Sequence, residues 1–191
     1  MLAKTGTSSQ KQHERCARAG GVECTQVALD ALLGAQAAAT RRPPFRVTPA
    51  HVMVGIMRQP RSGAGELLTT SGLTEDRVWA AIDYRKWGFH GMRKLRDPIL
   101  GSRPRWSRVA RDVVAAAARE CRRRDTSVVD TLDLLAAIGA VGDAFAEHLL
   151  TTARVEVANL SSVEREAHLV ELERSPTTQL PSFTTLRKLH V

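Results

Sequence analysis

The sequence Leu67-Leu68-Thr69-Thr70 recurs as Leu149-Leu150-Thr151-Thr152, 82 residues further along the chain. The same offset aligns residues 24–82 with residues 106–164 without a gap. A single offset that holds over roughly 50 positions is hard to obtain by chance, and self-similarity at a fixed period is typical of duplicated units. The sequence therefore predicts a tandem duplication, and the other features of the chain can be placed relative to its two copies.

Each copy begins with the signals of an Ala-rich helix. Thr25 and Ser107 occupy equivalent positions and are predicted N-caps, because a hydroxyl can accept a hydrogen bond from the free N–H groups of the first turn. Arg41-Arg42 and Arg123-Arg124 stand at the other end, where positive charge stabilises a helix C-terminus. Both copies therefore predict a first helix of similar length.

Three further helices are predicted in each copy. Thr48 and Asp130 are the expected caps of the second helix, and Val52, Met53, Ile56 and Met57 recur along it at a spacing that predicts one apolar face. Third helices are expected over 64–71 and 144–153, and fourth helices over about 74–83 and 156–172. The predicted fold class is therefore all-α, with two tandem four-helix repeats and about eight helices. The composition agrees, since the chain has 26 Ala and only 4% aromatic residues.

The composition excludes several classes of protein. Of the 191 residues, 43% are hydrophobic and 25% are charged, which indicates a folded chain rather than a disordered one. No stretch approaches 18 apolar residues, and the N-terminus lacks the apolar segment of a secretory signal. The three cysteines form no C-x-x-C pair, so we expect neither a disulfide framework nor a metal site. The expected protein is cytoplasmic, has no cofactor and no catalytic residues, and is not an enzyme.

The residues at the helix starts resemble those of the Clp repeat, the N-terminal domain of Clp-type AAA+ unfoldases. The family's aromatic-Thr-x-x-Ala opening is matched by Trp106-Ser107-Arg108-Val109-Ala110. Its Val-Thr-x-Glu-His-Leu-Leu motif is matched by Val47-Thr48-Pro49-Ala50-His51-Val52-Met53 and by Val129-Asp130-Thr131-Leu132-Asp133-Leu134-Leu135. The resemblance covers residues 22–165. It implies a pseudo-twofold helical bundle that receives adaptors and substrate proteins and, in some members, phosphorylated arginine or cyclic peptide antibiotics.

Two departures from the family pattern limit what the resemblance implies. The sequence has no Walker A motif and no room for an ATPase module, so we expect a free-standing docking domain. The glutamate that binds phospho-arginine in some relatives is replaced by Ala50 and Leu132, which cannot pair with a guanidinium. The phospho-arginine site is therefore not carried over, and His51 is expected to form a local hydrogen bond at the start of its helix.

The resemblance also implies a ligand groove between the first helices of the two repeats. The matching positions are Leu29, Leu32, Leu33, Trp106, Arg111 and Ala115. A large aromatic residue such as Trp106 is a good interface anchor, which makes these residues a candidate site for peptides or cyclic peptides. In the alternative interpretation, the leucines face the core and Trp106 packs as a hydrophobic staple for its helix.

The connector between the repeats holds most of the net charge of +8. Residues 83–108 contain eight Arg or Lys against two Asp, and four of the eight aromatic residues. We expect Trp87, Phe89, Arg93 and Lys94 to form a partner-binding loop. Two alternatives stay open: a nucleic-acid site that uses residues 84–108, since basic and aromatic side chains bind phosphates and stack on bases, and a solvated loop that its aromatics pin to the bundle.

The sequence thus predicts five regions and one leading function. The regions are a mobile N-terminal tail (1–21), a first repeat (22–83), a basic aromatic connector (84–105), a second repeat (106–165) and a helix extension with a C-terminal tail (166–191). The leading function is a non-catalytic docking module that binds peptides, adaptors or Clp-targeting cyclic peptide natural products. Such a module would act as an accessory or decoy for a Clp protease system. The alternative function is a nucleic-acid-binding regulator that uses the connector.

Overall fold

The computed structural model describes residues 22–41, 46–88, 104–124, 128–153 and 177–179. The helices are α1 (Gln26–Arg41), α2 (Pro49–Met57), α3 (Gly63–Thr70), α4 (Glu75–Gly88), α5 (Arg108–Arg123), α6 (Thr131–Val141) and α7 (Ala144–Thr152). The strands are β1 (Glu23–Thr25), β2 (Arg46–Val47), β3 (Arg105–Trp106), β4 (Val128–Val129) and β5 (Thr177–Gln179). The predicted tail over 1–21 and the predicted helix over 156–172 lie outside the described residues.

The predicted all-α class and its repeat arrangement are confirmed. The first helices α1 and α5 have 16 residues each, and they begin at Gln26 and Arg108, which the offset of 82 relates. The second helices begin at Pro49 and Thr131, which the same offset relates. The described part of the chain contains seven of the roughly eight helices that the sequence predicts.

The short strands tie the two repeats together by a reciprocal exchange. β1 of the first repeat pairs in parallel with β4 of the second, placing Cys24 opposite Val129. β3 of the second repeat pairs in parallel with β2 of the first, placing Trp106 opposite Val47. The offset of 82 converts one pairing into the other, as a pseudo-twofold axis requires. β5 adds to the other side of β1 in antiparallel orientation.

The second helices form the centre of the bundle. α1 packs mainly on α2, and α5 packs mainly on α6, while α2 also contacts α5 and α6 also contacts α1. The sequence predicted that α2 buries one apolar face, but the structure buries the whole stretch from Pro49 to Ile56. A helix that is apolar on all sides satisfies its hydrophobic surface only when neighbours surround it.

The predicted N-caps are confirmed by hydrogen bonds. The hydroxyl of Thr25 accepts from the N–H of Ala28 at 3.1 Å, and that of Ser107 accepts from the N–H of Ala110 at 3.0 Å. These bonds satisfy donors that a helix start leaves without an intrahelical partner. Thr25 and Ser107, at equivalent positions in the two repeats, therefore each cap the first helix of their repeat.

The fourth helix of the first repeat is longer than predicted. α4 continues to Gly88, five residues past the expected end at residue 83. No glycine or proline interrupts the sequence between Glu75 and Gly88, so nothing local ends the helix earlier. The hydroxyl of Thr74 accepts from the N–H of Arg77 at 3.3 Å and so helps to fix the start of the helix.

Candidate docking surface

The three groove leucines of the first repeat divide into a core residue and two surface residues. Leu32 is fully buried, whereas Leu29 and Leu33 are half-buried and pack against the core from the side of α1. Leu29 and Leu33 are four residues apart, so they lie on one face of the helix. This pair is the part of the predicted site on α1 that retains accessible apolar surface.

Trp106 lies in the core in this structure. It is only 6% exposed, and its backbone is held by the pairing with Val47. The N–H of the following residue, Ser107, also donates to the carbonyl of Val47 at 2.8 Å. This placement corresponds to the interpretation in which Trp106 anchors the start of its own helix.

Arg111 and Ala115 lie on the outer side of α5. Arg111 is exposed and Ala115 is half-buried, and their separation of four residues places them on one face. The contacts between the repeats run mainly through α2 and α6 rather than directly between α1 and α5. Two pairs of residues are therefore accessible: Leu29 with Leu33 on α1, and Arg111 with Ala115 on α5. The central helices α2 and α6 hold α1 and α5 in place.

The predicted partner loop falls largely outside the described residues. Trp87 lies in the last turn of α4. Phe89, Arg93 and Lys94 are not in the described ranges. At the border with the second repeat, the structure describes the stretch from Pro104 to Trp106, where Arg105 is exposed.

A polar cluster at the start of α6 was missed by the sequence analysis. The thiol of Cys121 donates to a carboxylate oxygen of Asp133 at 3.0 Å, and the guanidinium of Arg124 forms an ion pair with the same carboxylate. The N–H of Asp130 donates to Asp133 at 3.2 Å, and the N–H of Asp133 donates back to Asp130 at 2.8 Å. The sequence signal for this reciprocal capping box was the spacing Asp130-x-x-Asp133.

The electrostatics of this cluster are those of a buried structural group. Burial raises the pKa of Asp133, and the neighbouring Asp130 raises it further, while Cys121 and Arg124 act in the opposite direction. Asp133 is only 7% exposed. A buried carboxylate that is held by a cap, a thiol and a guanidinium stabilises a fixed geometry. We therefore assign the cluster to the fold rather than to a ligand site.

His51 occupies the position equivalent to Asp133 and plays the same role, as predicted. The N–H of Thr48 donates to the Nδ1 of His51 at 3.3 Å, and the Thr48 hydroxyl lies 2.7 Å from the same nitrogen. The His51 and Trp79 rings form a T-shaped pair with 5.5 Å between ring centroids, and the indole N–H of Trp79 donates to Glu75 at 2.9 Å. Glu75 in turn pairs with Arg58. His51 is thus a fully buried structural residue.

Two general findings concern the described residues. They contain no group of three side chains that could hold a metal ion. No single helix among them is long and apolar enough to cross a membrane, and the bent pair of α6 and α7 passes that test by length and composition only.

The cross-paired strands and the duplicated helices define a double-repeat helical domain. The model of the Clp repeat (R) N-terminal domain family matches residues 23–153, and the chain belongs to this family. Among solved structures, it is similar to the N-terminal domain of the caseinolytic protease associated chaperone ClpD from Arabidopsis thaliana, with a TM-score of 0.56 and 20% sequence identity. That match covers 78% of this chain and 94% of the other. Domains of this family are non-catalytic docking modules of Clp ATPases that bind adaptors and substrates.

Proposed function

We propose that this chain is a docking module that binds peptides, adaptors or Clp-targeting cyclic peptide natural products on the outer faces of α1 and α5. The observation that carries the proposal is the half-buried pair Leu29 and Leu33, which keeps apolar surface accessible on a helix whose opposite side is fully packed. Membership of a docking-domain family supports the same general function.

The chemistry of the two faces suits a peptide ligand. Fully burying an exposed leucine contributes about 1.5–3 kcal/mol, so completing the burial of a half-buried leucine contributes roughly half of that, and two leucines together can anchor one apolar side chain of a ligand. Arg111 and Ala115 offer a cation beside a small residue, which suits a carbonyl-rich or anionic part of the same ligand. Leu32 and Trp106 belong to the core rather than to these faces, since both are buried.

The proposed role in the cell is that of an accessory or decoy for a Clp protease system. A module that carries the docking surface can deliver a ligand to the ATPase or withhold it. The second effect depends on mass action, because a decoy protects its target only when its concentration exceeds its dissociation constant for the shared ligand. Proteolysis by a reconstituted Clp system, measured with increasing amounts of this chain, separates delivery from competition.

The binding proposal is tested with the variant Leu29→Ser/Leu33→Ser. Isothermal titration would measure the affinity for a permanently unfolded carboxymethylated protein and for a cyclic peptide of the Clp-targeting type. The matched control is Met57→Ser/Leu67→Ser, which removes two partly buried apolar side chains from α2 and α3 instead. We expect the first variant to weaken binding at least tenfold and the control to leave it within about twofold.

Circular dichroism melts of both variants establish that they remain folded. The proposal is wrong if the unmodified chain binds neither ligand, or if both double variants weaken binding equally. In the second case, the loss would follow from reduced stability rather than from the faces of α1 and α5.

A further inference from the structure

The outer face of α5 carries a row of arginines. Arg108, Arg111, Arg119 and Arg122 are all exposed. At 100° per residue these four positions fall within about 80° of arc, and at 1.5 Å per residue they extend over about 21 Å along the helix. Ala115 lies on the same line between the two halves of the row and is half-buried. We call this set of four arginines the arginine row.

The fold does not require these arginines. The offset of 82 places Gln26, Leu29, Ala37 and Thr40 at the equivalent positions of α1. Both helices start from the same cap, have the same length and pack on equivalent partners. α1 performs the same structural role without an arginine at any of these four positions. Packing therefore does not explain the arginine row of α5.

One carboxylate of α5, that of Asp112, lies beside the row. Asp112 lies 3.9 Å from Arg108, and the ion pair of Glu120 at 2.7 Å is with Arg123, which stands beside the row. The side chain of Arg108 is 88% exposed. The four guanidinium groups outnumber the carboxylate of Asp112 on this side of α5, so the face has a positive potential.

We propose that the arginine row is the docking surface for an acidic helix of a partner protein. The spacing of the row is i, i+3, i+11 and i+14, so a partner helix with acidic residues at the same spacing can place a carboxylate opposite each guanidinium. This spacing reads the same in both directions, and the partner helix can therefore lie parallel or antiparallel to α5. Ala115 leaves room at the midpoint for the two helices to approach to about 8–10 Å between axes.

Two observations favour an acidic protein helix over the other anionic partners. Asp112 lies beside the row, where it would repel a continuous run of phosphates, whereas a protein helix of mixed charge can place a lysine opposite it. A second copy of this chain is disfavoured, because the formal net charge of +8 makes two copies repel. This inference rests on the proposed docking function and names the class of partner that one of its faces receives.

The test uses the full chain and a labelled Ala-rich helical peptide. The peptide carries glutamates at the spacing of the arginine row, and a control peptide has the same composition with the glutamates distributed around the helix. Fluorescence anisotropy at low salt measures both affinities. We expect the matched peptide to bind at least about tenfold more tightly than the control peptide and to lose affinity as salt is raised.

The decisive variant is Arg111→Glu/Arg119→Glu. Its matched control is Arg61→Glu/Arg77→Glu, which lowers the formal net charge by the same amount, from +8 to +4, by reversing exposed arginines in the first repeat. We expect the first variant to weaken binding of the matched peptide at least about tenfold and the second to weaken it less than about threefold. A melt followed by circular dichroism shows that both variants are folded.

Three outcomes would overturn the inference. Equal losses in the two double variants would show a general effect of charge. Equal binding of the two peptides would show that the spacing of the row is irrelevant. Tighter binding of a DNA or RNA oligonucleotide than of the matched peptide, with loss in Arg111→Glu/Arg119→Glu, would assign the row to nucleic acid. If any of these outcomes occurs while the unmodified chain still binds the unfolded protein or the cyclic peptide, the proposed docking function survives while this inference fails.

Discussion

Replacing Gly55 by alanine tests the packing of α1 against α2. A Cβ atom at residue 55 would lie 2.0 Å from the carbonyl oxygen of Ala31 and 2.9 Å from the backbone nitrogen of Ala35. Both obstructing atoms belong to the backbone of α1, so no side-chain rotation can relieve the contact. Gly34 lies opposite Gly55 and is the matched control, because its Cβ would meet the Cα of Gly55 at 3.5 Å, an ordinary contact.

The magnitude follows from the separation that the new methyl group requires. To move the Cβ from 2.0 Å to a normal contact, α1 and α2 must separate by more than 1 Å where they pack through the fully buried residues Ala31 and Ala35. A gap of that size forfeits a large share of the dispersion contacts between the helices, and overpacking of this kind costs about 3 kcal/mol or more. Both variants gain about 1 kcal/mol of helix propensity, so the difference between them isolates the clash.

Thermal and urea unfolding followed by circular dichroism measure the two effects. We expect Gly55→Ala to lower the free energy of unfolding by about 2 kcal/mol or more and Tm by at least about 4 °C. Gly34→Ala should be neutral or stabilising by up to about 1 kcal/mol. The repeat alignment alone predicts that alanine is tolerated at residue 55, because Ala116 and Ala137 occupy the positions equivalent to Gly34 and Gly55. Equal stability of the two variants would refute the packing argument.

Three further predictions concern buried and capping groups. Ser107→Ala should lower the free energy of unfolding by about 1 kcal/mol through loss of the cap to α5, and Ser107→Asp should restore most of it, as urea titrations would show. Asp133→Ala should cost about 2–3 kcal/mol and more than Arg124→Ala, because it removes a cap and leaves the Arg124 guanidinium only its longer ion pair with Glu120, at 3.7 Å; equal losses in urea titrations would contradict this. Burial, with the charges of Glu23 and Asp30, raises the pKa of Cys24 from 9.0 to about 12, so the folded chain holds this proton more tightly than the unfolded chain. Its contribution to stability is complete below pH 9 and is lost as the pH rises toward 12, at up to about 1.4 kcal/mol per pH unit. Cys24→Ala should flatten that slope, and an unchanged slope would show that other groups cause it.

The sequence predicted the features of the fold that depend on local signals. The caps at Thr25 and Ser107 combine a hydroxyl with an alanine three residues later, and the structure shows the corresponding hydrogen bonds. The exchange of strands between the repeats was not predicted, because β2, β3 and β4 have two residues each, too few for any periodic pattern. The burial of α2 on all sides was missed for a related reason. Periodicity reports that a helix has an apolar face, but tertiary contacts decide how many faces are covered.

The candidate site was harder to predict than the fold. A leucine at a groove position reads the same in sequence whether it is fully buried, as Leu32 is, or half-buried, as Leu29 and Leu33 are. The degree of burial is set by which neighbours the helix meets, and that depends on the whole bundle. The Asp133 cluster was missed because its partners, Cys121 and Arg124, come from the preceding helix and its C-cap across a turn.

The duplication itself separates what the fold needs from what it does not. Several equivalent residues that remain alike in both repeats cap helices or fill the core, as Thr25 and Ser107 or Val47 and Val129 do. Positions that differ in chemistry on an exposed face have no such structural constraint. Leu29 faces outward on α1 where Arg111 faces outward on α5, so a symmetric scaffold presents an apolar face on one helix and a basic face on the other. A ligand that uses both faces can therefore bind in only one of the two orientations that the pseudo-twofold axis would otherwise make equivalent.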